Sequence, residues 1–186
     1  MVWQLRIPGD SGHRYPFILW SINPFCMKEI LIGKLLEYIR DNNPDILFDL
    51  EAKDKLRVWL YDKVSTAGPL IKQLKNSSRP EYIIVETCLQ EITKELRPSR
   101  YNYILNILET EFENDYKQLL QSGLLQHEVV NMISFCNSTF DDLVFAEENE
   151  DNQFIRYAIT GAVSEYLESN RVNESVSNEL QQSAKT

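Results

Sequence analysis

The sequence predicts an all-α fold: a single compact bundle of about six or seven helices joined by short loops. Three observations predict it. From Met27 onward, apolar residues recur at spacings of three and four, which places them on one helix face. No stretch after residue 27 shows the alternation of a half-buried strand. Proline, glycine and asparagine break the pattern at intervals that suit short helix-to-helix connections. A chain of 186 residues buries enough surface for one core that needs no disulfide or metal.

The elements follow in order. Residues 1–26 form an arm: Val2 to Ile7 alternates weakly, Pro8-Gly9-Asp10 is turn chemistry, and a lone strand has nothing to pair with. Helical sequence begins near Met27, so a start there, with 1–26 as an upstream extension, is an alternative to a native, flexible arm. The first helix is predicted over Pro24 to Asn42, with Asn23 as cap and Ile32, Leu35, Leu36 and Ile39 on its face. Asn42-Asn43-Pro44 ends it. A second helix is predicted from Leu50 to Thr66, stopped by Gly68-Pro69, and Leu70, Ile71 and Leu74 mark a short third.

Pro80 opens the next helix, whose stripe is Ile84, Val85, Cys88, Leu89, Ile92 and Leu96. Pro98 breaks it and Ser99 caps its successor, which runs unbroken through Ile104, Leu108, Phe112, Tyr116 and Leu120 to Ser122-Gly123. Another helix carries Leu125, Val129, Met132, Ile133 and Cys136. Residues 137–152 are read as an acidic loop. The last helix uses Phe154, Ile155, Ala158, Ile159, Ala162, Val163 and Tyr166. Residues 27–169 thus form the helical domain, and the polar tail 170–186 is expected to be disordered, because it has too little apolar surface to offset its ordering entropy.

Charge is unevenly placed. Residues 1–140 hold 18 acidic and 16 basic residues, whereas 141–186 hold 10 acidic and 3 basic. The acid is therefore concentrated at the C-terminal end, and no Lys/Arg cluster offers a phosphate-binding surface. Direct nucleic-acid contact is not expected. No run reaches the 18 or so apolar residues of a membrane span, and Phe17 to Trp20 is too short for a signal peptide. A cytoplasmic protein is the expectation, and a homo-oligomer is compatible with the chain. Cys26, Cys88 and Cys136 are far apart and odd in number, which suits buried hydrophobes in a reducing compartment better than a disulfide framework or a zinc site.

Candidate chemistry is sparse. Glu109, Glu111, Glu113 and Asp115 lack the Glu-x-x-His pairs of a bundle metal site and read as a solvated helix face. The loop acids Glu147, Glu148, Glu150 and Asp151 lack the glycine of a calcium loop and instead complement the dipole of the helix that follows. Gly161, inside the last helix, is expected to admit a close helix or an aromatic such as Tyr101 or Tyr103; backbone exposed to a ligand is the alternative. No phosphate loop, nucleophile elbow or zinc-protease motif is present, so no catalytic residue, cofactor or metal is nominated. Eight tyrosines lie on predicted helices, and any that are exposed would mark a contact surface.

Three short stretches resemble a known family. They are Leu36 to Asp45, with its break at Asn43-Pro44-Asp45; Val85 to Leu89 followed by Pro98-Ser99-Arg100-Tyr101; and Ile159-Thr160-Gly161-Ala162-Val163 with Tyr166-Leu167-Glu168. In order and spacing, residues 27–169 resemble the bacterial family catalogued as domain of unknown function 1896. The resemblance implies a small all-helical cytoplasmic protein, often encoded among mobile-element genes, with no catalytic residues. Pro98, Ser99, Arg100, Tyr101, Thr160 and Gly161 are then family-like structural positions. The expected function is a non-enzymatic adaptor that binds another protein, with Glu147, Glu148, Glu150 and Asp151 as its surface. A small-ligand binder or enzyme with a site between helices is the alternative, and a DNA-associated accessory role the third.

Overall fold

The computed structural model describes the backbone of residues 24–183 and the side chains of residues 27–171. Residues 1–23, and with them most of the expected arm, lie outside the described residues. Within them there are nine α-helices, one 3₁₀ turn and no strand. The helices are α1 (Pro24–Asn42), α2 (Pro44–Ala52), α3 (Leu56–Thr66), α4 (Gly68–Asn76), α5 (Glu81–Ile92), α6 (Arg100–Glu111), α7 (Glu113–Ser122), α8 (Leu125–Asp142) and α9 (Gln153–Ser183). The all-α class is as predicted, with nine helices in place of six or seven.

Helix α1 is the spine of the first half. Met27, Leu31, Leu35 and Ile39 repeat every four residues and are buried, against α2, α3 and α5. Burial of each such side chain contributes about 1.5–3 kcal/mol. Helix α2 is the first departure from the sequence reading. Pro44 does end α1, but it also occupies the first turn of a new helix, where its missing N–H costs nothing. Leu47 and Leu50 then bury against the same core. The break between α2 and α3 falls at Asp54, whose φ of 53° is a conformation that aspartate tolerates. Pro69 likewise opens α4 rather than only closing α3.

The second departure lies between α6 and α7. The sequence reading carries one helix from Ser99 to Gly123, but Phe112 leaves the helical region at φ −127°, ψ 46° and divides it. Glu109 and Glu111 therefore belong to one helix and Glu113 and Asp115 to the next, so the four acids do not lie on one helix face as expected. Among the described residues, three of the four acids make ion pairs: Glu111 with Arg156 at 3.1 Å and Asp115 with Arg171 at 2.5 Å, both on α9, and Glu113 with Lys117 one turn on. The end of α7 is as predicted: Gly123 takes φ 74°, and the Leu124 and Gly123 amides donate to Leu119 and Leu120 carbonyls at 3.0 and 3.2 Å.

Helix α9 runs past Asn170 to Ser183, where the sequence reading ends the ordered domain. Extension of an existing helix adds one hydrogen bond per residue and avoids the nucleation cost, so a polar stretch can follow a packed one. The ion pair of Arg171 with Asp115 ties the start of that extension to α7.

The hydrophobic core divides into two clusters. Residues from Met27 to Leu96 form one, within α1 to α5; residues from Tyr101 to Leu167 form the other, within α6 to α9. The halves meet where α2 packs on α8 and at the connection Leu96–Ser99. Cys88 is buried in the first cluster and Cys136 in the second. Among the described residues, no helix is long and apolar enough to cross a membrane.

Candidate interaction surface

The connection between the halves is built from its own sequence upward. Arg97 is extended, as the residue before a proline must be. Ser99 caps α6, its hydroxyl accepting from the Asn102 amide at 2.9 Å and donating to the Asn42 carbonyl at the end of α1. Asn102 Nδ2 donates to Asn42 Oδ1 at 2.9 Å, and buried Asn43 donates to the Leu96 carbonyl at 3.2 Å. The turn that begins the second half is thus latched onto the last turn of α1.

Two arginines extend this latch. Arg97 reaches Glu147 at 3.1 Å. Arg100 reaches Asp141 at 2.6 Å and Asn137 at 2.9 Å, with its guanidinium 5.0 Å above the Phe140 ring. Residues 50 apart in sequence therefore meet: the Pro98-Ser99-Arg100 connection lies beside the end of α8 and the acidic loop, which starts after Asp142 and not at 137 as expected, because α8 continues through that stretch. Tyr101 turns the other way, buried in the second core, and burial raises its phenol pKa.

The acidic loop has a defined shape. Asn149 accepts from the Ala146 amide at 2.8 Å and donates to the Val144 carbonyl at 2.9 Å, which closes a tight turn with Glu147 and Glu148 at its tip. Asn152 caps α9 by accepting from the Phe154 amide at 2.8 Å. Glu150 and Asp151 thus precede the positive end of the α9 dipole, as expected. Of the four nominated acids, only Glu147 makes an ion pair among the described residues.

A cleft of about 530 Å³ separates the connection from the loop. Tyr38 and Asn42 enter from α1, Tyr103 from α6 and Arg156 from α9, with Glu150 and Asp151 on the far rim. Burial raises the pKa of both tyrosines. Arg156 is held by Asn106, Thr110 and Glu111 at 3.0, 2.8 and 3.1 Å. The Tyr103 hydroxyl makes no hydrogen bond, while its ring packs edge-on against Phe145 at 4.7 Å.

Three large apolar side chains border the acidic loop and are exposed: Val144 at 73%, Phe154 at 68% and Tyr157 at 71%. Val144 is also in the left-handed region, at φ 49°, where a β-branched residue is strained. The sequence reading places Phe154 in the apolar face of the last helix; it lies outside, because the buried stripe is Ile155, Ile159, Val163 and Leu167. Thr160 and Gly161 line neither this cleft nor a smaller one beside Asp45 and Arg100. Gly161 is exposed, and a Cβ built on it would meet nothing within 4 Å, so the expected close packing is overturned.

Comparison with family models, with curated proteins and with solved structures finds no match for the chain.

Proposed function

We propose that the protein is a non-enzymatic helical adaptor that binds another protein through the acidic loop and the apolar residues around it. The observation that carries this reading is the exposure of three large apolar side chains, Val144, Phe154 and Tyr157, in and beside the acidic loop. A β-branched residue in the left-handed region costs about 1–2 kcal/mol, yet Val144 is exposed and fills no core. The end of α8 sets that conformation: the Val144 and Phe145 amides donate to the Asp141 and Phe140 carbonyls, both at 3.1 Å, and the Val144 side chain is left facing solvent. At the start of the helix that follows the loop, Phe154 and Tyr157 supply apolar area, and Glu148, Glu150 and Asp151 make no ion pair among the described residues. The complementary partner segment is basic, with apolar residues between its charges. The reading includes a cytoplasmic location, which free, buried Cys88 and Cys136 suit.

The test compares three forms of the tagged full chain: the original, Val144→Asn, and a form with Gln or Asn at Glu147, Glu148, Glu150 and Asp151. Asparagine accepts the left-handed conformation, so Val144→Asn is expected to raise stability by about 1 kcal/mol. The reading expects one co-purifying protein, lost from both variants. Its retention on both would refute the surface.

A second reading, a small-ligand site in the cleft, is favoured by the unpartnered Tyr103 hydroxyl. Thermal-shift screening of the full chain against small polar ligands tests it: a shift lost in Tyr103→Phe supports it, and no shift in the whole screen removes it.

A further inference from the structure

The first half carries a groove of its own. Helices α1 and α5 pack side by side, and between them runs an open channel of about 640 Å³. Buried Val85 and half-buried Leu89 form its floor, and exposed Ile30 and Tyr82 its walls. Tyr82 is 69% exposed. It lies off the stripe Ile84, Val85, Cys88 and Ile92 that α5 gives to the core, so nothing in the first cluster uses its ring.

Three charges rim this floor: Lys34 on α1, and Glu81 and Glu86 on α5. None makes an ion pair among the described residues, unlike Lys63 and Glu95 in the same half. An apolar floor bounded by unpaired charge is the arrangement that receives an amphipathic helix, whose apolar stripe covers the floor while its flanks meet the rim. At this rim two carboxylates stand against one ammonium, which sets the sign of the partner.

We propose that the α1–α5 groove docks a basic amphipathic helix of a partner protein. Leucine-like residues at helical spacing cover Ile30, Tyr82, Val85 and Leu89, and lysine or arginine on the flank faces Glu81 and Glu86. The groove shares no residue with the acidic loop, so this is a second partner face, and it stands whether or not the first is used.

The probe is a labelled synthetic helical peptide with a leucine stripe and lysine flanks, titrated against the full chain by fluorescence anisotropy. A second peptide carries glutamate in place of each lysine. The lysine peptide is expected to bind, and the glutamate peptide to bind at least about tenfold more weakly. Ile30→Asp and Tyr82→Ala, both at exposed positions, are each expected to weaken the lysine peptide at least about tenfold, with thermal unfolding confirming that the fold persists. Neutralising the four loop acids is expected to leave affinity within about twofold.

Absence of binding, or equal affinity for the two peptides, overturns the proposal. So does loss of binding in the loop variant instead of the groove variants, which would put the probe on the acidic loop. Tighter binding after Phe17→Ala and Trp20→Ala would make the chain's own N-terminal residues the occupant. Self-association abolished by Tyr82→Ala would make it a second copy. Either result refutes an external helix.

Discussion

Substitution of Gly161 by alanine separates two physical accounts of the last helix. In the sequence, a glycine inside a helix suggests a neighbour too close for a side chain, and alanine would then clash. In the structure, Gly161 is exposed, and an added Cβ meets no atom within 4 Å. Alanine there removes backbone freedom from the unfolded chain and creates no contact in the folded one, a gain of about 0.8–1 kcal/mol. In a chain of this size that raises Tm by about 2–4 °C. Leucine is the sharper probe. In open space it retains most of the gain, since its helix propensity is only slightly below that of alanine. Against a packed neighbour, its added volume would cost about 1–3 kcal/mol. Thermal and urea unfolding by circular dichroism read both variants. Destabilisation of Gly161→Leu by more than about 1 kcal/mol would refute the open position and restore the packing account.

Other expectations follow from the cores and the connection. Phe140 is fully buried and packs its ring against Tyr103 and Phe145, so Phe140→Ala should cost about 3–5 kcal/mol in urea unfolding; a loss under about 1 kcal/mol would contradict its burial. Burial pushes the Cys136 thiol up to about 11. A folded pKa above the unfolded one gives stability that is whole below about pH 9 and is lost towards pH 11, at up to about 1.4 kcal/mol per pH unit. Cys136→Ala should flatten that part of the stability–pH curve, and an unchanged slope would exclude the thiol as its source. Ser99→Ala removes both the α6 cap and the bond to the Asn42 carbonyl and should cost about 1–2 kcal/mol in urea unfolding, whereas Ser99→Thr should keep most of it.

What was legible in the sequence is what short-range periodicity encodes. The all-α class, the extent of α1, the cap at Ser99 and the glycine stop of α7 all depend on residues within one or two turns of each other. The misses share a cause of another kind. Pro44 and Pro69 look like stops, because proline ends one helix by the same rule that lets it open the next. Phe112 breaks a helix with no glycine or proline nearby, so its break has no compositional mark. The convergence of Arg97 with Glu147 is set by tertiary packing across 50 residues, which no local pattern reports. Exposed Phe154 was hidden for the opposite reason: an apolar residue beside a buried stripe reads as part of it.

The divided core also determines how the molecule comes apart. Each cluster is closed by helices of its own half, and the seam between them holds α2 against α8, a few side-chain hydrogen bonds and the Arg97–Glu147 pair. Separation of the halves therefore leaves each cluster closed and is expected to be a low-cost opening of the chain. Amide hydrogen exchange should register it as a shared opening of the residues around Asn42 and Ser99, well below the free energy at which Leu35 or Met132 loses protection. Damage should likewise stay local: a cavity made in one cluster and a cavity made in the other should add without interaction, as two small proteins on one chain would.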